Sequence, residues 1–337
     1  MITIVDIAKE SGYSVSTVSR VLNHKQDVSP AAKKKIMEIV EAHNFVPNNN
    51  AKHLKQGVTK NILLLVKGTF NMLFANIIEE IQTIIADTAF NIRVYYLDED
   101  RNEVEEAVRL CSERKPLGVL FLGGNPEYFE EKFAQIKVPC VLVTNQGKEL
   151  GYENLSSVAT DDVAAAEQAV DYLFAQGHTH IGVVGGDRFV SRTAKHRFKG
   201  CVKSFEKQGL VFDAENYYET GRFSFDEAYK GTKRLLEKEQ PLTAIFAMSD
   251  SMAIGAIRAI RDNGLRVPED ISVVGFDGID LASYYNPKIV TIRQGYKEIA
   301  ARSVEVLIGM VDLNRPASHE LIPFELKQGE SVIQIHK

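Results

Sequence analysis

Residues 4–23, Ile4-Val-Asp-Ile-Ala-Lys-Glu-Ser-Gly-Tyr-Ser-Val-Ser-Thr-Val-Ser-Arg-Val-Leu-Asn23, hold two short apolar patterns of helical spacing broken by a single glycine. Ile4, Ile7 and Ala8 share one face of the first, and Val18 with Val21 or Leu22 shares one face of the second. Gly12 can take the left-handed conformation that ends a helix, and the small Ala8 four residues earlier lets a second helix approach. Ser14 then stands where an N-cap is needed. The result is a helix-turn-helix, with Val15, Ser16, Ser19 and Arg20 facing outward at the start of its second helix. One apolar group, two hydroxyls and one guanidinium suit a DNA major groove, where arginine reads guanine and a small apolar group touches the thymine methyl.

Ser29-Pro30 predicts the start of a third helix, because proline is preorganised for a first turn. Ile36, Ile39 and Val40 give it an apolar face. Lys33, Lys34 and Lys35 lie near its start, where cations oppose the helix dipole, a placement that makes sense beside a DNA backbone. Charge is unevenly spread. Residues 1–60 carry nine Lys/Arg against five Asp/Glu, a balance of +4, so the net −5 of the whole chain leaves −9 on the remainder. A basic head on an acidic body is the asymmetry expected if only the head meets phosphate. Residues 45–57 then form a polar, acid-free linker bounded by Pro47 and Gly57.

From residue 61 the pattern changes to strands alternating with helices. Strands are expected at 62–66, 93–97, 118–122 and 140–144, and again at 181–185, 244–248 and 273–276, with a helix over about 74–89. This alternation predicts two doubly wound parallel-sheet units in series, with ligands bound at the carboxyl ends of strands. The 337 residues, 45% hydrophobic, suffice for two or three ordinary cores. No apolar run reaches membrane-spanning length and no secretion signal opens the chain, which predicts a cytoplasmic protein. Cys111, Cys140 and Cys201 lack metal spacing and are odd in number, so neither a metal nor a disulfide framework is expected. No P-loop, dinucleotide fingerprint or nucleophile elbow is present. The expectation is therefore no catalytic residue and no cofactor.

The head resembles that of the LacI/GalR family of bacterial transcription regulators, whose first helices read close to T-x-x-D-I-A-x-x-A-G-V-S-x-x-T-V-S-R-V-L-N. Thr3, Asp6, Ile7, Ala8, Gly12, Ser14, Thr17, Val18, Ser19, Arg20, Val21, Leu22 and Asn23 match that pattern, while Tyr13 replaces the usual valine. The resemblance implies DNA contacts from Thr3, Ser14, Val15, Ser16, Arg20, Asn23 and Ser29. It also makes the linker a hinge whose short helix forms on an operator, with Leu54 wedging into the minor groove and Ala51 one turn earlier on the same face. Asn48, Asn49 and Asn50 depart from the alanine-rich family pattern and lower the intrinsic helicity.

The body resembles the periplasmic sugar-binding-protein fold that this family carries. The implied division is a helix-turn-helix domain at 1–46, a hinge at 47–60, and an effector-binding and dimerisation domain at 61–337. Its first lobe would hold about 61–157 plus 290–318, and its second about 160–286 plus 322–337, crossing near 157–161, 286–291 and 317–323. The first lobe would take up a late helix, roughly 294–311, and the second the final strands. Effector contacts are implied for Phe74, Thr193, Arg197, Phe223, Ser249 and Asp277, with Gln294 and Tyr296 as weaker candidates. The Arg197 guanidinium and the Asp277 carboxylate would each offer paired hydrogen bonds to a polar ligand. Ser249 replaces the commoner asparagine, and the family's N-P-F-F loop is altered around Phe74. The expected function is ligand-controlled operator binding by a homodimer, repression being the common family outcome and a sugar or sugar derivative the effector. The alternative is a solute receptor that never binds DNA.

Overall fold

The computed structural model describes residues 3–22, 28–43, 60–68, 71–238 and 240–335. Asn23, Ala51 and Leu54, and residues 47–59 of the expected hinge, lie outside the described residues. The chain divides into two units, 1–59 and 60–337.

The first unit contains three helices: α1 (Ile4–Ser11), α2 (Val15–Leu22) and α3 (Pro30–Ala42). Thr3 opens α1 with a capping box: its hydroxyl donates to the Asp6 carboxylate at 2.6 Å, and its own backbone N–H reaches the same oxygen at 2.9 Å. These bonds hold the exposed Asp6 carboxyl below its ordinary pKa. Gly12 closes α1 at φ 76°, its N–H bonded to the Ala8 carbonyl. Ser29 caps α3 by accepting the Ala32 N–H at 3.3 Å. Ile7, Ala8, Val18, Val21, Ile36 and Val40 form the core that the three helices share.

The second unit is built on two six-stranded sheets. The first runs β2-β1-β3-β4-β5-β11 in space, from β1 (Lys60–Lys67), β2 (Phe90–Leu97), β3 (Gly118–Leu122), β4 (Cys140–Val143), β5 (Leu155–Ala159) and β11 (His319–Leu321). The second runs β7-β6-β8-β9-β10-β12, from β6 (Ile181–Gly185), β7 (Tyr218–Thr220), β8 (Ala244–Ala247), β9 (Ser272–Asp277), β10 (Val290–Gln294) and β12 (Phe324–Lys327). All pairings are parallel except β10 with β12. Parallel strands covered by helices on both faces bury their side chains throughout, and β3, β4, β5, β6, β8 and β9 are buried at every position. Register aligns the carboxyl ends: Val66 lies beside Leu122, Leu122 beside Val143, and Val143 beside Val158. The loops that follow these strands therefore leave the sheet at one edge.

The chain crosses between sheets after β5, after β10 and after β11. The second crossing falls at Gly295, later than the 286–291 expected from the sequence. Residues 290–294 accordingly belong to the second lobe, because Val290, Thr291 and Ile292 are buried and pair in parallel with β9. The first lobe instead gains β11, which pairs with β5, so only the last of the final strands joins the second sheet. The helix Tyr296–Leu313 packs on the first lobe: Met310 accepts the Ser156 hydroxyl, and Asp312 pairs with Lys60 of β1 at 2.7 Å.

Candidate functional site

In the head, the outward face at the start of α2 is polar. Ser16 and Arg20 are exposed. Ser14 serves as the N-cap, accepting the Thr17 N–H at 3.2 Å and sharing hydrogen bonds with the Ser16 and Thr17 hydroxyls at 2.7 and 2.9 Å. Val15 is half-buried against the head core and so is only partly on the outward face expected from the sequence. Thr3, Ser14 and Ser29 thus each stand at the start of a helix.

In the second unit, a cavity of about 480 Å³ lies between the carboxyl ends of the two sheets. Phe74, Thr193, Arg197, Phe223, Asp277 and Gln294 all line it. Two aromatic rings reach it from opposite lobes. Phe74, in the first turn of the helix Met72–Ala86, lies over Gly123 at the end of β3, and Phe223 lies over Gly186 at the end of β6. A Cβ on either glycine would come within 2.5 Å of the ring above it.

Arg197, on the helix Arg192–Lys207, is almost fully buried. Its Nε donates to Asp162 Oδ1 at 2.8 Å, one Nη donates to the Met248 carbonyl, and the same Nη lies 3.6 Å from Asp277. The guanidinium carbon Cζ sits 3.6 Å from the Phe276 ring centroid. Asp277 in turn accepts from the Gln294 side chain at 2.9 Å and adopts φ 107° at the end of β9. Burial pushes the Asp277 carboxyl up to about 6, against the pull of Arg197. Burial also raises Asp162, and raises Asp250 well above its ordinary value with help from the negative charge of Asp277. One buried guanidinium therefore serves two acids, Asp162 and Asp277, that desolvation discourages from ionising.

The wall contributed by the first lobe holds a second buried pair. Lys67, at the end of β1, donates to Glu103 at 2.9 Å and lies 4.2 Å from the Tyr128 ring centroid. Glu103 also accepts the Asn125 N–H at 2.5 Å, which fixes the loop after β3. Desolvation raises the Glu103 carboxyl, while Lys67 opposes that shift. Contacts among the described residues tie the lobes across the cleft: Asn125 to the Val190 carbonyl at 3.0 Å, Thr193 to Asn145 at 3.1 Å, Arg192 to Glu149 at 2.5 Å, and Arg222 to Asp100 and, at 3.9 Å, Asp98.

Ser249 is not among the described lining residues. It is buried and caps the helix Asp250–Asp262, its hydroxyl accepting the Met252 N–H at 3.1 Å. Tyr296 likewise packs on the core and is absent from the described lining. Sequence reasoning missed Asp162, Lys67, Asn125, Asn145, Tyr128 and Arg222. Lys67, Asn125 and Asn145 each sit at or just beyond a strand's carboxyl end, where ligand contacts were to be sought. Asp162 likewise follows the carboxyl end of β5, in the first turn of the next helix. Among the described residues, no cluster of His, Cys, Asp and Glu fit to hold a metal is present, and no helix is long and apolar enough to cross a membrane.

A capped helix-turn-helix carried in one chain with a two-lobed, cleft-bearing body is the build of a ligand-responsive DNA-binding regulator. Residues 3–48 match the family model for bacterial regulatory proteins of the lacI family, and residues 170–332 match the periplasmic binding protein-like domain. The chain is 39% identical to the HTH-type transcriptional regulator MalR of Clostridium butyricum, covering 98% of this chain and 99% of that protein. The chain belongs to the LacI family and is a DNA-binding transcription regulator. Its fold is similar to that of the lac repressor dimer bound to operator and the anti-inducer ONPF, with TM-score 0.78, 24% identity, and coverage of 98% of this chain and 99% of that one. It is also similar to a complex of the transcriptional regulator CelR with cellobiose, with TM-score 0.71, 23% identity, and coverage of 98% and 100%.

Proposed function

We propose that this chain is a homodimeric, cytoplasmic repressor without catalytic activity, and that a sugar or sugar derivative held in the cleft controls its grip on a palindromic operator. The observation that carries the effector reading is the pairing of Phe74 and Phe223 across the cavity, with the hydrogen-bonding groups of Asn125, Asn145, Asp277 and Gln294 around them. Apolar ring faces flanked by oriented amides and a carboxylate suit a ring with many hydroxyls, because the faces take up the C–H surfaces and the polar groups take up the rim. The likeness to a cellobiose-bound regulator supports the same class of ligand. Arg20 and Ser16 would read base edges from the exposed face of α2, and Thr3, Ser14 and Ser29 would lie against phosphate from the helix N-termini. The dimeric, operator-bound lac repressor supports the pairing of two such heads on one site.

Ligand acts by preferring one arrangement of the lobes, and its preference decides whether DNA is released or gripped. The test is fluorescence anisotropy of the full chain with duplexes selected from a random library, repeated with a sugar panel. Selection of a palindrome whose binding a sugar shifts is the expected result. Failure to bind any duplex at low salt, with or without sugars, would sink the regulator reading and favour a receptor that binds solute alone.

A further inference from the structure

The reading of the cleft as a sugar site leaves open whether its ligand is neutral or carries a phosphate or carboxylate. We infer that the cleft is built for an uncharged ligand and discriminates against anionic counterparts, because each cation in its described lining is already paired with a carboxylate of the protein.

The described lining holds four cations, Lys67, Arg192, Arg197 and Arg222. Lys67 is spent on Glu103 at 2.9 Å, and both side chains are buried. Arg197 is spent on Asp162 at 2.8 Å, the Met248 carbonyl and Asp277. Arg192 meets Glu149 at 2.5 Å, and Arg222 spans Asp100 and, at 3.9 Å, Asp98. Glu99 and Asp187 also line the cavity, and among the described residues neither forms an ion pair: Glu99 lies beside Gly68 and shares the fields of Arg222 and Lys67, which already hold other carboxylates, and Asp187 accepts the Phe189 N–H at 2.8 Å.

An entering phosphate takes its strongest hold from a free guanidinium fork, two parallel N–H bonds at once. Here Arg197 spends its Nε on Asp162 and one Nη on the Met248 carbonyl beside Asp277, and one Nη of Arg222 holds Asp100, so neither offers an intact fork. The one guanidinium donor left without a partner among the described buried groups is the Nε of Arg192, a single N–H suited to a single oxygen. An anion would have to break a protein ion pair or sit beside surplus carboxylates in a partly desolvated space, and either course costs affinity. A hydroxyl incurs neither cost. It can donate to Asp277, Asp187 or an amide carbonyl and accept from Asn125, Asn145 or the Arg192 Nε.

The experiment measures binding to the full chain by calorimetry, using matched pairs that differ only in charge: glucose and glucose 6-phosphate, ribose and ribose 5-phosphate, cellobiose and cellobiose 6-phosphate, adenosine and its 5′-monophosphate. The neutral partner of any pair that binds should bind at least about tenfold more tightly than the anionic one. The double variant Glu99→Gln with Asp187→Asn should narrow that gap by about threefold or more, since the repelling charges are gone. An anionic sugar that binds as tightly as its neutral partner, or more tightly, overturns the inference while leaving the sugar reading intact, and an unchanged gap in the double variant overturns the assignment of the repulsion. Binding by the nucleoside pair with no sugar bound overturns the sugar reading instead, and charge selection is then read from that pair.

Discussion

Arg197 and Asp162 meet at 2.8 Å with both side chains almost fully buried, so the guanidinium that faces the cleft is anchored by the residue through which the chain enters its second lobe. Thirty-five residues separate them in sequence. The pair joins the helix Arg192–Lys207 to the helix Asp162–Ala175, and it sets the height at which Arg197 meets Asp277 and Phe276.

Breaking that anchor leaves a buried charge without its partner. Asp162→Ala is expected to destabilise the second unit by about 3–5 kcal/mol, and Asp162→Asn, which keeps a hydrogen-bond acceptor, by less. Urea denaturation followed by circular dichroism measures both. Equal and small losses in the two variants would show that Arg197 does not depend on this carboxylate.

The Asp277 carboxyl is raised by burial to about 6, from an ordinary value of 3.8. Between those values the folded chain holds a proton that the unfolded chain has released, so this group's contribution to stability falls as pH rises from about 4 to about 6 and stays level above. Asp277→Asn removes that contribution. The melting temperature of the variant relative to wild type should therefore climb across that window and flatten above it. A difference that is constant from pH 4 to pH 7 would refute the assignment.

Phe223 lies over Gly186 because that glycine has no side chain to lift the ring. Gly186→Ala places a methyl only 2.5 Å from the Cε2 atom, too close to keep, and the ring can turn away because it is only half-buried. Effector affinity should fall about fivefold or more while effector-free DNA binding is preserved, since a stacking face worth about 1 kcal/mol or more is displaced. Titration of the wild-type effector against both proteins checks this. Undiminished affinity would remove Phe223 from the ligand contacts.

Arg20 stands exposed in the last turn of α2. Arg20→Ala should cost about 1–3 kcal/mol on a selected duplex and relax the base preference at one position of each half-site. Competition assays with single-base variants of the duplex measure this. A loss of the same size on every sequence would reassign the side chain to phosphate.

Much of this molecule was legible in the amino-acid order, because the relevant physics acts over a few residues. Gly12, Ser14 and Ser29-Pro30 announce the ends of the head helices, since a cap satisfies backbone groups within one turn of itself. The apolar run at 62–66 announces a parallel strand, and β3 and β6 begin and end where the pattern placed them. The same locality explains Ser249: its place before Asp250 marks a helix N-cap, and that use takes its hydroxyl out of the cleft.

What only the tertiary structure decided depends on groups far apart in the chain. Whether residues 290–294 belong to one lobe or the other is settled by pairing with β9, which no periodicity within those five residues reveals. Thr193 finds Asn145 across 48 positions, and Arg222 finds Asp100 across 122. The sequence by itself determined a helix-turn-helix head and an alternating strand-helix body, and its resemblance to a known family pointed to six of the residues that line the cleft, Phe74, Thr193, Arg197, Phe223, Asp277 and Gln294. The fold alone decided which of those charges meet, because a parallel sheet brings strand ends together by crossover connections whose lengths carry no information about side-chain partners.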